Sequence, residues 1–169
     1  KTSIVFPPNN SMREDIKQQT FNIMKVICGM VNAYGGTVYL GVNDTGTAKG
    51  LVEDLHYFED STDKYDLHIR NSIRTALGDH VNASIVVEHP DAGKHYIYAI
   101  KVTPSKTPVM LTLDNKFYLR EGTSTYPIEQ DQLDEIMAER NFALYKTEAK
   151  DMEAVEIPEP EPEKKPEEA

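Results

Sequence analysis

The chain has 169 residues, which is enough for one domain of ordinary size but not for two. Acidic residues outnumber basic ones by 28 to 18 and 39% of residues are hydrophobic, so the sequence is neither a disordered chain nor a polycation that coats nucleic acid. Its single cysteine excludes an internal disulfide, and no apolar run approaches the roughly 18 residues of a membrane span. We therefore expect a soluble cytoplasmic protein.

The negative charge is concentrated at the C-terminal end. Between residues 147 and 169, nine acidic and three basic residues leave a net charge of −6, so the first 146 residues carry −4. Four of the ten prolines also lie there and alternate with glutamate, a composition that disfavours helix and has no apolar face. The composition predicts one folded domain over residues 1–146 and a disordered Pro/Glu-rich tail or linker over 147–169. Because the chain starts at Lys1 rather than Met, we expect it to be part of a longer protein with a further C-terminal domain.

The first predicted element is a helix that begins at Ser11. Ser11 and Glu14 have the spacing of a capping box, and apolar residues then recur at helical spacing as far as Tyr34. Gly35 and Gly36 end this helix, because glycine adopts the left-handed C-cap conformation without a steric penalty.

A strand and a second helix follow in the chain. The strand is predicted over residues 37–42, with a turn over 43–46 and a short returning strand over 47–51. The second helix is predicted over 62–77, because apolar residues four apart share one face, and Gly78 is its stop signal.

The rest of the body is predicted to contain two hairpins and a last helix. The four hairpin strands cover residues 83–88, 96–102, 109–113 and 117–120. The hydroxyl-rich segment 121–125 is predicted to be a loop, and the last helix to start after Pro127, which suits a first helical turn. This order predicts an α+β fold, with helices packed on a mixed, largely antiparallel sheet.

Basic side chains of the body occur in small local groups. Hydroxyls, glycine N–H groups and an arginine together bind phosphate, and the segment from Arg120 to Thr125 holds all three. The alternative is solvated surface, with Arg120 paired to Glu121 or another acid. The predicted contacts to nucleic acid are Arg70, Arg74, Lys106, Arg120, Ser124 and Thr125.

Asp44 is the one acidic residue that the sequence marks for chemistry. It stands in the turn after the first strand, where its carboxylate either serves as a metal-binding or catalytic group or closes an Asx-turn. The glycines from Gly41 to Gly46 have the spacing of a P-loop, but the lysine that grips the phosphates is missing. We therefore expect no bound cofactor and no metal site, with Mg²⁺ or ATP as the alternatives.

Three short motifs follow one another along the body. They read Asn32-x-x-Gly35-Gly36, then Gly41-Val42-Asn43-Asp44-x-Gly46-x-x-x-Gly50, then Tyr118-x-Arg120-x-Gly122-x-Ser124-Thr125. In this order they resemble the Schlafen-type AlbA domain family of bacterial and archaeal regulators, also described as a divergent AAA or ATP-binding domain. The resemblance covers nearly the whole body.

The resemblance implies an α+β domain that binds nucleic acid, DNA above all, in a transcriptional regulator. Schlafen relatives include RNA endonucleases that use clustered carboxylates, and Asp44 matches one of those acids. The Glu-Phe-Lys segment that opens the family is replaced here by Val5-Phe6-Pro7, and metal-assisted cleavage needs more than one acid. The sequence therefore predicts a non-catalytic nucleic-acid-binding module. The alternatives are a metal-dependent RNA endonuclease and a protein-interaction, dimerisation or ATP-binding regulatory domain.

Overall fold

A computed structural model describes residues 3–7 and 13–153, with side chains as far as residue 148. The helices in this part of the chain are α1 (Ile16–Asn32), α2 (Val52–Tyr57), α3 (Thr62–Leu77), α4 (Asp79–Ser84) and α5 (Gln130–Glu153). The strands are β1 (Gly36–Leu40), β2 (Val86–Glu88), β3 (Tyr98–Val102), β4 (Met110–Leu111), β5 (Lys116–Glu121) and β6 (Ser124–Ile128). None of these helices is both long enough and apolar enough to cross a membrane.

The strands form two three-stranded antiparallel sheets, ordered β1-β3-β2 and β4-β5-β6. The predicted α+β class and both predicted hairpins are confirmed, although two small sheets take the place of the single predicted one. β1 and β6 are edge strands, and each lies beside the strand that forms the centre of its own sheet. The candidate site lies between these two edges.

Helix α1 starts later than the capping-box pattern predicts. It begins at Ile16, and the side chain of Asp15 caps it by accepting a hydrogen bond from the N–H of Gln18 at 3.3 Å. The predicted start at Ser11 is therefore wrong, although Ser11 itself lies outside the described residues. The N–H of Asp15 also donates to the carbonyl of Val5 at 3.0 Å, and this contact with the N-terminal segment fixes the chain where the helix begins.

Helix α3 agrees with its prediction at both ends. Ser61 caps its start by accepting from the N–H of Lys64 at 3.3 Å, and Gly78 ends it with a φ of 95°. The periodicity did not predict α2 and α4, because each has only six residues, less than two turns.

The segment before α5 is the largest departure from the predicted elements. Residues 124–128 form β6 rather than a loop and the start of a helix, and α5 begins at Gln130. Pro127 lies within β6, where an edge strand tolerates the missing N–H. α5 continues past residue 146 as far as Glu153, and the rest of the predicted tail, residues 154–169, lies outside the described part of the chain.

The buried side chains form two clusters on opposite faces of the second sheet. The main core lies between α1, α3 and the sheets, and the smaller cluster consists of Ala33, Leu119, Leu133 and Met137 under α5. Because successive residues of a strand point to opposite faces, Tyr118 of β5 enters the main core while Leu119 faces α5. Arg120 follows on the same face as Tyr118.

Asn32 joins α1 to the second sheet. Its side chain is fully buried, its Nδ2 donates to the carbonyls of Val109 (2.8 Å) and Tyr118 (2.9 Å), and its Oδ1 accepts from the N–H of Val109 at 2.8 Å. The β4–β5 ladder ends at the pair Met110–Phe117, so Val109 and Tyr118 would be the next pair. The carboxamide of Asn32 occupies that position and satisfies both strands. The first residue of the motifs is therefore structural.

Arg140 of α5 closes the C-terminal end of α1. Its side chain is 3% exposed, and its guanidinium donates to the carbonyl of Asn32 at 3.0 Å and to the carbonyls of Ala33 and Ser105. The last carbonyls of a helix have no partner within the helix, and a cation there also interacts favourably with the helix dipole. Arg140 thus fastens α5 to the end of α1 and to the loop before β4.

A buried carboxylate holds the N-terminal segment 3–7. Asp54 of α2 is 1% exposed and accepts hydrogen bonds from the N–H of Ile4 (2.8 Å), the hydroxyl of Ser3 and the hydroxyl of Tyr65 (3.2 Å). Burial raises the pKa of the Asp54 carboxyl in spite of these donors.

We expect Asp54 to lower the stability of the protein as pH rises. Since its folded pKa lies above the unfolded value of about 3.9, the folded state binds the proton more tightly, and the free energy of unfolding falls as pH rises from about 4 through the folded pKa. Asp54→Asn keeps an oxygen acceptor but cannot ionise, so its free energy of unfolding should not show this fall with pH. Urea denaturation of both proteins across the acidic to neutral range measures the difference. If the difference in free energy of unfolding between the two proteins did not change with pH, the pKa of Asp54 would not be raised in the folded state.

Candidate nucleic-acid interface

An open groove of about 670 Å³ lies where α1, the edge strand β1 and the β5–β6 hairpin meet. We call it the Arg120 groove. Its floor is formed by α1, one wall by β1 and the turn after it, and the other wall by the hairpin. The lining side chains that can act on a ligand are Lys25, Tyr39, Asp44, Arg120, Thr123 and Thr125.

Arg120 and Thr125 lie opposite each other on β5 and β6, and Arg120 Nη1 donates to Thr125 Oγ1 at 2.9 Å. Glu121 accepts instead from the hydroxyl of Tyr126 at 3.3 Å. Within the described residues no salt bridge involves Arg120, so the alternative in which it pairs with Glu121 is wrong. Its positive charge is therefore available to a ligand in the groove.

Gly29 allows α1 to approach the hairpin closely. A Cβ at this position would lie 2.8 Å from Thr125 Cγ2 and 3.2 Å from the backbone nitrogen of Arg120. Glycine inside a helix costs about 1 kcal/mol relative to alanine, so this contact explains a residue that the helix itself disfavours. The floor and the hairpin wall of the groove are thus held together at the residues that carry its chemistry.

Lys25 is a groove residue that the sequence did not single out. It lies on α1, half-buried, with its Nζ 5.5 Å from the ring centroid of Tyr118, a cation–π distance. In the part of the chain that the structure describes, it makes no salt bridge. Its position one helical turn before Gly29 places it on the face of α1 that meets the hairpin, and that spacing was the available signal.

The turn after β1 is closed by Asn43 rather than by Asp44. Asn43 Oδ1 accepts from the N–H of Thr47 and from the hydroxyl of Thr45, both at 2.8 Å. Asp44 is exposed and contributes the one acidic side chain to the described lining of the groove. Among the described residues no group of three or more histidine, cysteine, aspartate or glutamate side chains is placed to hold a metal ion.

The glycines of the motifs adopt backbone conformations that disfavour other residues. Gly35 shows why: its φ is 75°, and a Cβ there would lie 2.4 Å from the carbonyl oxygen of Val102 on β3. Any side chain at this position would push β1 away from its partner strand. A positive φ is shared by Gly35, Gly36, Gly41, Gly46, Gly50 and Gly122.

Two predicted contact residues, Arg70 and Arg74, lie on α3 and do not line the groove. Arg70 Nε is 3.2 Å from a carboxylate oxygen of Asp66, and Arg74 Nε is 2.9 Å from one of Asp79. Arg70 lines a separate concavity that Asp66 also lines. Both arginines therefore already have acidic partners.

Lys106 and Ser124 also lie outside the lining of the groove. Lys106 is exposed in the loop before β4, where its carbonyl accepts from Asn141 Nδ2 at 2.9 Å. Ser124 is exposed at the start of β6, opposite Glu121. Of the six predicted contacts, the structure brings Arg120 and Thr125 together in the groove and places the other four elsewhere.

Comparison with known proteins agrees with the order of the motifs. The sequence model of the family described as Schlafen, AlbA_2 matches residues 8–129. The chain belongs to the Schlafen, AlbA_2 family. This Schlafen, AlbA_2 region contains every residue of the groove and ends just before α5, so the helix that carries Arg140 lies outside it. Membership associates the domain with nucleic acids.

Among solved structures, this Schlafen, AlbA_2 domain is similar to the DIP2311 protein from Corynebacterium diphtheriae. The TM-score is 0.55 over 78% of this chain, with 17% sequence identity, which shows a shared fold. The chain spans about a quarter of the length of that protein, since 25% of it is covered. No curated protein sequence matches the chain.

Proposed function

We propose that the protein is a non-catalytic module that binds nucleic acid by its sugar–phosphate backbone in the Arg120 groove. The observation that carries this proposal is the pair Lys25 and Arg120, which come from α1 and β5 and converge on one groove. Neither makes a salt bridge within the described residues, whereas Arg70 and Arg74 do. Cations without acidic partners bind phosphate without first giving up an ion pair, and the hydroxyls of Thr123 and Thr125 add neutral donors beside them.

We propose DNA as the ligand, and a cytoplasmic protein similar to transcriptional regulators as the protein to which the module belongs. The motif order supports it, and the charge distribution allows it, because more than half of the net charge of −10 belongs to residues 147–169. Few phosphate contacts fit in one groove, so binding should be weak. It should weaken further with added salt, with a slope set by the few counterions that those contacts release.

We expect Arg120→Ala and Lys25→Ala each to weaken binding to short labelled oligonucleotides. Each should also reduce the slope of log Kd against log salt concentration by about 1, since each removes one phosphate contact. Arg74→Ala is the matched control, because it removes a cation whose partner is Asp79. Fluorescence anisotropy at several salt concentrations gives both the affinity and the slope.

Other outcomes of this experiment would favour a different function or a different interface. A wild-type protein that binds neither DNA nor RNA at low salt would refute the proposal. An equal loss in Arg74→Ala would move the interface to α3. Cleavage of the probe with Mg²⁺ or Mn²⁺, lost in Asp44→Asn, would favour the RNA endonuclease instead.

A further inference from the structure

The β1 wall of the Arg120 groove presents an aromatic ring. Val38 and Leu40 of β1 are buried in the core, at 4% and 0% exposure, whereas Tyr39 between them is 46% exposed. Tyr39 lines the groove together with Val38. The alternation of the strand therefore directs Tyr39 away from the core, where its ring is accessible at the groove. An aromatic ring beside cations can stack on a base, whereas a site for phosphate alone needs no aromatic ring.

The two walls of the groove differ in chemistry. Lys25, Arg120 and Thr125 supply cations and a hydroxyl on the side of α1 and the hairpin, and Tyr39 supplies the aromatic surface on the side of β1. Met30, on the floor between them, is apolar. Phosphates bind to the first kind of surface and the faces of bases to the second, so one nucleotide has a suitable partner on each wall.

The shape of the site favours a strand whose bases are unstacked. In a duplex the base faces are covered by their neighbours, and a protein reaches the base edges with a protruding helix or ribbon. Here the contact residues line an open groove of about 670 Å³, a volume that can accommodate a ligand the size of one nucleotide. A single strand can offer the face of a base to such a groove, whereas stacking covers the base faces of a duplex.

We propose that the Arg120 groove binds single-stranded nucleic acid, with one base stacked on Tyr39 and the adjacent phosphate held by Arg120 and Lys25. This inference rests on the proposed function and adds the class of ligand to it. A peptide strand added to the edge of β1 is the rival occupant, because β1 is an edge strand. The two cations of the groove, Lys25 and Arg120, outnumber the one acid in its described lining, Asp44, and this balance favours the polyanion.

The experiment compares single strands with the duplex of the same sequence. The wild-type protein should bind a labelled single-stranded oligonucleotide about tenfold more tightly than the duplex, and Tyr39→Ala should remove about tenfold of the single-strand affinity. Tyr39→Phe, which keeps the ring, should retain most of it. Tyr145→Ala is the matched control, because Tyr145 on α5 is 69% exposed and does not line the groove.

The possible failures are distinguishable. Equal affinity for duplex and single strand, or a Tyr39→Phe variant as weak as Tyr39→Ala, would overturn the inference, while the proposed function would stand if Arg120→Ala still weakened binding. Binding of neither nucleic acid at low salt would remove both. Binding of an extended peptide that is insensitive to Arg120→Ala would assign the edge of β1 to a protein partner and overturn the inference.

Discussion

Replacing Asn32 with aspartate should destabilise the domain by about 3–5 kcal/mol at neutral pH. Asn32 Nδ2 donates to the carbonyls of Val109 and Tyr118, at 2.8 Å and 2.9 Å. Aspartate would put a charged oxygen against two carbonyl oxygens in a site with no exposure to water. Only a protonated carboxyl group could restore one of these hydrogen bonds, so the loss of stability should be smaller at acidic pH.

Urea denaturation at acidic and neutral pH measures this effect. Asn71→Asp is the control, because Asn71 lies on the exposed surface of α3, where a substitution changes stability by about 0.5 kcal/mol or less. If the free energy of unfolding of Asn32→Asp stayed within about 1 kcal/mol of the wild-type value, the hydrogen bonds of Asn32 to Val109 and Tyr118 would not hold α1 in place.

The role of Asn32 shows what a motif conveys and what it omits. The order of the motifs was enough to predict the family, because it depends only on residue identities along the chain. The bridge made by Asn32 joins residues 77 and 86 positions away, and no local pattern encodes those partners. The same applies to the start of α1, because no local pattern encodes the contact between Asp15 and Val5 that lies there.

Elements with a strong local signal were predicted well. α3 has sixteen residues with apolar side chains on one face, a capping serine and a terminal glycine, and its predicted bounds are the observed ones. The segment of β6 has no such signal: its hydroxyl groups suggested a loop, and pairing with β5 makes it a strand. Tertiary pairing decides the conformation of a short segment whose own preferences are weak.

The residues of the groove were predicted only in part, because a local pattern reveals residues that are close in the sequence and not those that packing brings together. Arg120 and Thr125 were found because they lie five residues apart in one segment that combines an arginine, a glycine and hydroxyl groups. Lys25 and Tyr39 were missed, because only packing brings α1 and β1 to that hairpin. Arg74 looked equivalent to Arg120 in the sequence, and only the structure shows its acidic partner.

Removing the guanidinium of Arg140 should loosen α5 and cost about 3 kcal/mol of stability. Arg140→Ala leaves the buried carbonyls of Asn32, Ala33 and Ser105 without their donor. The remaining attachments of α5 are the small cluster around Leu133, which buries few side chains, and the hydrogen bond from Asn141 Nδ2 to the carbonyl of Lys106. Arg140→Lys should recover part of the loss, because a single ammonium cannot reproduce the planar fork that reaches several carbonyls.

Hydrogen exchange locates the effect of the Arg140 variants. Residues 130–148 should exchange faster in Arg140→Ala, while β5 keeps most of its protection, and Glu139→Ala, an exposed change one residue earlier, should leave both unchanged. Because α5 packs against the face of β5 that carries Leu119, and the groove lies on the other face, nucleic-acid binding by Arg140→Ala should persist wherever the body stays folded. Undiminished protection of α5 would show that Arg140 does not fasten the helix. Loss of binding without loss of protection in β5 would show that α5 contributes directly to the interface.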